Sequence, residues 1–435
     1  MERIMVSAGR KKLFYKLVSR TGRTGTILLL ILCCPIFLFA QQIIKGKVVN
    51  TSTGTALANC NVFINNTTRG TVTDNAGYFE LNNVPGGKYE LIISSVGYET
   101  RAIPFIAAEL PLDLLIKLSI RIRELENVTV EPFEEGSWQQ WGVIFTESFI
   151  GRTENAAHCK ILNQDSIRFR YYKKSNRLIA FSDIPLIIEN KSLGYIISYQ
   201  LEEFELNYRQ RSIFFLGYPL VQEIEHDRRA LQEKWNRKRQ KAYQGSVFHF
   251  MRSLYDNRLK EEGFEVRRMM KLPNTEKLRV KAIYKDVKIS KKYVINGKTS
   301  IGYVNEPANL PKDSINYYRK VLQQPDINEE YGKDILTADS LIEKSEARGK
   351  IIFFTDYIFV TYKYETEDPE FIRSQMLTRR PSYQRSTVML LNGNAIVVEA
   401  GGHHYDPRDF FTSGYWGWSE KMADYLPLDY EVRKE

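Results

Sequence analysis

Between residues 43 and 103 the chain breaks into short alternating stretches separated by Gly, Asn and Pro, a rhythm that leaves no room for long helices. Period-two alternation between turn residues is the mark of short antiparallel strands. Strands are predicted at Gly46-Lys47-Val48, at Asn61-Val62-Phe63-Ile64, and at Gly70-Thr71-Val72 running through Asp74 into Gly77-Tyr78-Phe79. Asp74 can bond its own backbone to start a turn, and Gly77 supplies a left-handed position. The strands on either side of that turn are expected to pair across it. Val84-Pro85-Gly86-Gly87-Lys88-Tyr89 repeats the device, and Gly97-Tyr98-Glu99-Thr100 turns into the last strand.

The order of these elements, over residues 43 to about 118, resembles the carboxypeptidase regulatory-like domain. The resemblance implies a prealbumin-like β-sandwich of seven strands and a non-catalytic appendage. It does not imply a peptidase, whose zinc needs three protein ligands and an open position. The chain has five histidines, His158, His226, His249, His403 and His404, and none is followed three residues later by Glu. The HExxH arrangement is absent too.

Residues 1–40 read as a secretory signal peptide: Arg10, Lys11, Lys12, Lys16, Arg20 and Arg23 precede an apolar run from Thr26 to Phe39. Cleavage is expected after Ala40, leaving Gln41 first. The 14-residue run is shorter than the ~20 residues of a spanning helix, and no comparable run follows, so no transmembrane helix is predicted after cleavage. The leader holds seven Lys or Arg and one Glu, so only +4 of the net +10 charge belongs to residues 41–435. A concentrated basic face is therefore missing, and nucleic acid is not an expected partner. The densest basic cluster, Arg228 to Lys241, is interleaved with Glu233 and Trp235 and reads as a solvated helix face, with contact to an anionic glycan or membrane surface as the alternative. Export permits a bridge between Cys60 and Cys159, though a buried free thiol suits Cys60, just ahead of a strand.

The predicted organisation is a sandwich over 41–120, a linker strand over 121–136 and an α+β domain over 137–435, making the chain mainly β. Leu125-Glu126-Asn127-Val128-Thr129-Val130 is the linker strand. A similar strand follows this domain in TonB-dependent receptors, but the remainder is too short and too interrupted by charged helices for their barrel. From Trp138 onward longer, tyrosine-rich strands are expected, at 177–181, 187–190, 195–201 and 212–218. A helix pair follows, one helix over 225–243 and one from an N-cap at Ser246 to Gly263, with Val247, Phe250, Met251, Leu254, Tyr255 and Leu259 on its core face. Strands return at 277–284, 350–364 and 386–399, the last a hairpin about Asn392-Gly393-Asn394. Helical pieces are expected at 314–322 and 334–343. Segments 188–195, 242–254, 262–264 and Lys421-Met422-Ala423-Asp424-Tyr425-Leu426-Pro427-Leu428 resemble an uncharacterised family of exported Bacteroidota proteins. That resemblance implies the same two-part architecture and an envelope location, with no activity attached.

Chemical candidates are few. His403-His404-Tyr405-Asp406 holds the only clustered metal-ligand types, but neighbouring histidines on a strand point to opposite faces. His249 is the best acid-base candidate, with packing or capping as the alternative. A G-x-S-x-G nucleophile elbow and a phosphate-cradling loop are absent, and no motif calls for a cofactor. Tyr405, Tyr415, Trp416 and Trp418 crowd among glycines near the C-terminus, where flat rings suit sugar or peptide stacking or else close a sheet edge. The reading is a non-catalytic envelope protein, periplasmic or outer-membrane associated, that binds a protein partner or glycan. The alternatives are an envelope-polymer hydrolase using His249 or carboxylates, and a ligand-free scaffold.

Overall fold

In the computed structural model, residues 42–121, 131–284, 290–295, 298–303, 311–346 and 349–432 are described. The expected leader, its cleavage point at Ala40 and Gln41, and the expected strand at 125–130 lie outside them. Among the described residues, no helix is long and apolar enough to cross a membrane.

Seven strands form the sandwich: β1 (Ile44–Asn50), β2 (Asn61–Ile64), β3 (Gly70–Val72), β4 (Tyr78–Leu81), β5 (Lys88–Ser94), β6 (Arg101–Ile106) and β7 (Leu112–Leu118). One sheet runs β4-β1-β7, with β1 and β7 parallel, and the other runs β3-β2-β5-β6. Ile44, Val48, Val62, Ile64, Phe79, Leu91, Ile93 and Ile116 fill the space between them. Gly46 is a requirement of close approach, because a Cβ there would strike the Leu114 carbonyl and the Phe79 ring. The Asp74 turn forms as expected: its Oδ1 accepts from Ala76 and Tyr78 N–H, and Gly77 has φ +79°. The strands flanking it do not pair with each other. β3 joins β2 and β4 joins β1, so the turn is a crossing between sheets.

The second region starts with β8 (Glu134–Gly136), placed in the expected linker, which pairs with β10 of a seven-stranded sheet. The others are β9 (Cys159–Ile161), β10 (Arg168–Tyr172), β11 (Arg177–Phe181), β12 (Leu186–Asn190), β13 (Tyr195–Asn207) and β14 (Ser212–Glu223). Order along the sheet is β8-β10-β11-β13-β12-β9, with β14 alone on the far side of the long β13. Helix α1 (Trp138–Phe149) packs on it, ahead of the first strand expected in this region at 177–181. Trp, Val, Ile, Phe and Thr make this a poor helix by propensity. The four-residue spacing of Phe145 and Phe149 wins because both rings are wholly buried, against Phe169, Phe204 and Tyr199.

Helix α2 (Arg229–Tyr243) turns Trp235, Arg239 and Tyr243 inward. Arg239 is a structural member of the basic cluster: it donates to the Leu193 and Gly194 carbonyls and lies 4.0 Å over the Tyr195 ring. Helix α3 (Val247–Tyr255) is capped by Ser246, whose Oγ accepts from His249 N–H. It ends at Tyr255, ahead of the expected stop, and Gly263 (φ +84°) closes the turns that follow. Its face of Phe250, Met251 and Leu254 joins a second core with Val266, Val360, Val388 and Trp416.

That core lies against two sheets. One is five-stranded, with strand order Ile327–Tyr331, Phe264–Pro273, Tyr357–Thr366, Tyr383–Leu390, Phe410–Gly414; the other joins Ile342–Glu346, Gly349–Ile352, Ile396–Val398 and His404–Tyr405. The expected hairpin at 392–394 is a tight turn, with Asn392 and Gly393 at positive φ, but its flanking strands enter different sheets. The expected strand at 350–364 is likewise two strands, broken at Asp356 (φ +62°).

Residues 277–284, read as a strand, belong to the helix Thr275–Tyr284. Asn274 Oδ1 accepts from Lys277 N–H and caps the helix, and Val280 and Tyr284, four apart, pack with Val321 in a small separate core. Helix Lys312–Gln323 supplies Val321 and matches its expected place. The helix expected at 334–343 shrinks to Ala338–Leu341, because Ile342–Glu346 pairs with Gly349–Ile352.

Candidate functional site at the junction of sandwich and second region

The sandwich is held to the second region by backbone as well as by side chains. Its Asn65-Asn66-Thr67 loop lies along the outer edge of β14, where Asn66 N–H donates to the Pro219 carbonyl at 3.1 Å and Val221 N–H to the Thr67 carbonyl at 3.0 Å. The C-terminal segment crosses the same loop: Leu428 N–H donates to the Asn66 carbonyl at 2.6 Å, and the Tyr425 hydroxyl donates to Asn66 Oδ1. Asp429 accepts from Thr68 N–H at 3.1 Å and from the Thr68 hydroxyl at 2.5 Å. Thr100 donates to Glu202 at 2.8 Å, and Lys88 stands 3.5 Å from Glu399.

Between these contacts lies a cavity of about 520 Å³. Asn65, Asn66 and Glu90 line it from the sandwich; Tyr199 and residues 215–218 from the sheet; His403, His404, Tyr405, Asp406 and Arg408 from one loop; and Glu420, Lys421, Asp424 and Tyr425 from the C-terminal segment. Aromatic rings and both signs of charge thus share one chamber.

Desolvation sets the protonation of its walls. Packing on most sides pushes His403 down to about 3 and His404 down to about 4, so both imidazoles are neutral near neutral pH. Burial raises Glu420 to about 7, against the Val247 N–H that its carboxylate accepts. It raises Asp424 to about 6, against donors from Thr153 and Asn155, and lowers Lys421 to about 8. Glu399, behind the wall, rises to about 7 despite Lys88. Groups poised near neutrality inside a cavity are a general pointer to function, though structural networks produce them too.

Each histidine of the pair packs on an aromatic ring. His403 packs on Tyr405 at 4.3 Å between ring centres and His404 on Phe410 at 4.8 Å, with their own centres 6.3 Å apart. Asp406 accepts from Arg408 N–H. Among the described residues no three His, Cys, Asp or Glu side chains converge.

The four aromatic candidates fall into three environments. Tyr405 lines the junction cavity, with Lys88 Nζ 4.6 Å from its ring centre. Trp416 is 2% exposed, donates Nε1–H to the Gly245 carbonyl at 2.6 Å and packs on Phe250, so it is core and cannot stack on a ligand. Tyr415 and Trp418 pair at 5.5 Å beside Phe371 and line a small polar cleft of about 70 Å³ with Lys238, Lys241, Glu365 and Asp368. One site cannot hold all four.

His249 is 5% exposed and committed on both sides of its ring. Nδ1 accepts from Gly245 N–H at 3.2 Å, which assigns the proton to Nε2, 3.2 Å from Glu262. Tyr243, Phe264 and Tyr362 enclose it. No nucleophile stands at either nitrogen. Cys60 and Cys159 are free thiols, the first donating to the Leu57 carbonyl and the second to that of Asn155. Burial pushes the Cys159 thiol up to about 12.

Sequence reasoning missed Asn66, Glu420, Lys421 and Asp424 as site residues. The 421–428 run is one of the stretches read above as resembling an exported family, but nothing in it announces a contact with the sandwich.

Residues 44–130 match the CarboxypepD_reg-like domain. The TonB-dependent receptor SusC of Bacteroides thetaiotaomicron is 37% identical over 83 residues, 18% of this chain and 8% of the receptor. The matched stretch thus spans only a small part of the receptor's length. Among solved structures, a type II cohesin-X-dockerin complex from Acetivibrio cellulolyticus matches 18% of the chain and 57% of its own, at 30% identity and a TM-score of 0.16. A protein of unknown function from Bacteroides fragilis matches 82% of this chain and 93% of its own, at 8% identity and a TM-score of 0.15. Those scores are too low for either structure to bear on the fold.

Proposed function

We propose that the protein is a non-catalytic component of the bacterial cell envelope, exported to the periplasm or the outer-membrane surface, that holds a partner or glycan in the junction cavity. The regulatory-like domain serves as a fixed docking module, since one wall of the cavity belongs to it. The observation that carries this reading is the chamber of about 520 Å³ built jointly by Asn66 and Glu90 of the sandwich and by Tyr405 and Tyr425 of the second region. Ligand sites favour such concave boundaries, with apolar rings and a few convergent polar groups. Similarity of the sandwich to part of SusC supports an envelope setting. A hydrolase gains no support from His249, whose nitrogens are both engaged.

The test is a thermal-shift screen of the purified protein against oligosaccharides, peptidoglycan fragments and peptides, with a Tyr405→Ala variant alongside. A compound that binds only the folded state stabilises it by about 2.7 kcal/mol at a hundredfold excess over its dissociation constant. Saturable stabilisation that Tyr405→Ala weakens at unchanged unliganded stability supports the reading. No shift with any compound transfers the role to a scaffold, and hydrolysis of any compound refutes the absence of catalysis.

A further inference from the structure

A groove of about 940 Å³ adjoins the junction cavity, and no sandwich residue lines it. Two runs of consecutive residues line it: 210–215 at the start of β14 and strand Phe410–Gly414. Successive side chains of a strand point to opposite faces, so a strand that met the groove with its face would contribute every second residue. Unbroken runs mean that both strands present their edges. The topology agrees. β14 pairs with β13 on one side only, and Phe410–Gly414 is the last strand of the five-stranded sheet, paired with Tyr383–Leu390.

One part of the β14 edge already shows what such an edge accepts. At residues 219–221 the sandwich loop adds to it in parallel through the Asn66 and Val221 amides. Residues 212–217, farther along the same edge, have no such addition among the described residues. Unpaired edge amides and carbonyls on every second residue, about 6.6 Å apart, are complementary to another extended peptide, and neither a glycan nor a helix offers that repeat. Ile213, Phe214, Phe410 and Phe411 give apolar positions for alternate side chains.

Charge narrows the occupant. Arg152, Arg211, Arg408 and Lys421 line the groove against two carboxylates, Glu147 and Glu420. Arg152 is paired with Glu147, and Arg408 with Glu203. Arg211, exposed at the tip of the β13–β14 hairpin, has no ion pair among the described residues and can meet an acidic side chain. We propose that this groove binds an extended peptide segment of about six residues, carrying alternate apolar side chains and at least one carboxylate, by adding it as a strand to the free edge of β14. This inference stands on the sheet edges and does not need a ligand in the junction cavity.

The experiment is selection of displayed random octapeptides on the purified protein, followed by fluorescence anisotropy with the best fluorescein-labelled sequence. Three probes are compared: the peptide, the same peptide N-methylated at every second residue, and the peptide against Arg211→Glu, whose fold is checked by circular dichroism. Enrichment of acidic, alternating sequences is expected, with N-methylation weakening binding at least tenfold and Arg211→Glu about fivefold. The proposal fails if no sequence is enriched, or if N-methylation leaves affinity unchanged, which would mean side-chain recognition alone. It also fails if light scattering shows a dimer whose dissociation is needed for peptide to bind, since the occupant would then be a second copy of this chain.

Discussion

Arg252 Nη2 donates to the carbonyl of Leu428 at 2.9 Å, joining helix α3 to the C-terminal segment across 176 residues of chain. The same guanidinium donates Nη1–H to the Tyr430 carbonyl at 3.0 Å and Nε–H to that of Gly401 at 3.1 Å, and it lies 4.1 Å over the Phe248 ring. One side chain therefore fixes two walls of the junction cavity, the loop leading to His403 and the segment carrying Glu420 and Asp424.

Arg252→Ala leaves three carbonyls without charged donors, and loss of such bonds costs about 1–3 kcal/mol each without adding fully. A total loss of about 3–4 kcal/mol in urea unfolding is expected. Arg252→Lys should recover little, because an ammonium cannot span the three acceptors as a planar fork does. Full recovery by lysine would show that charge alone matters.

Asp429 is the corresponding hold on the sandwich, accepting from both the amide and the hydroxyl of Thr68. Asp429→Ala should loosen the sandwich loop from β14 by about 1–2 kcal/mol while both cores stay packed. Hydrogen exchange reads this directly: the Val221 amide, bonded to the Thr67 carbonyl, should exchange about tenfold faster, and core amides such as Ile93 should not change. Equal exchange at Val221 in both proteins would mean that the loop is held without Asp429.

The sandwich was legible in sequence because its turns carry their own chemistry: Asp74 and Gly77 form the same turn whatever surrounds them. Which strands pair was not legible. The Asp74 and Asn392 turns are both correct locally, and both send their flanking strands into different sheets, a choice made by burial far along the chain. Helices α1 and 275–284 were hidden for a related reason. Their β-prone residues become helical through pairs four apart, Phe145 with Phe149 and Val280 with Tyr284, whose partners are remote in sequence. At the site, Tyr405 and the histidines were visible as types. The facing wall was not, since Asn66 and Asp424 lie 358 residues apart and meet only in the fold.

His249 gives a prediction that separates structure from catalysis. Its folded pKa is lowered, chiefly by burial and against Glu262, so the folded state holds it neutral. Its contribution to stability is therefore present above the ordinary value of 6.5 and is lost as pH falls through the lower folded value. His249→Leu removes the Gly245 acceptor and the Glu262 partner, and should cost about 1–3 kcal/mol at pH 8. The loss should shrink towards pH 5, where the wild type itself pays to neutralise the ring. A loss that grew as pH fell would contradict a buried neutral imidazole.

Glu420 has the opposite sign. Its folded pKa is raised from 4.5 to about 7 by burial, so its contribution is fully present below about 4.5 and is lost as pH rises through 7. One unit is worth about 1.4 kcal/mol, and the remaining solvent contact of this side chain reduces the full shift to a loss of about 2 kcal/mol between pH 5 and pH 8. Glu420→Gln keeps an oxygen for the Val247 N–H at 3.2 Å while removing the charge. The variant should match the wild type at pH 5 and exceed it by about 2 kcal/mol at pH 8, in urea midpoints measured side by side. Comparing the two proteins cancels His403 and His404, whose lowered values give a slope of the other sign below pH 6.5. Parallel pH profiles would mean that the Glu420 carboxylate is solvated in the folded protein, and the junction cavity would then be wetter and less able to discriminate among charged ligands than its packing indicates.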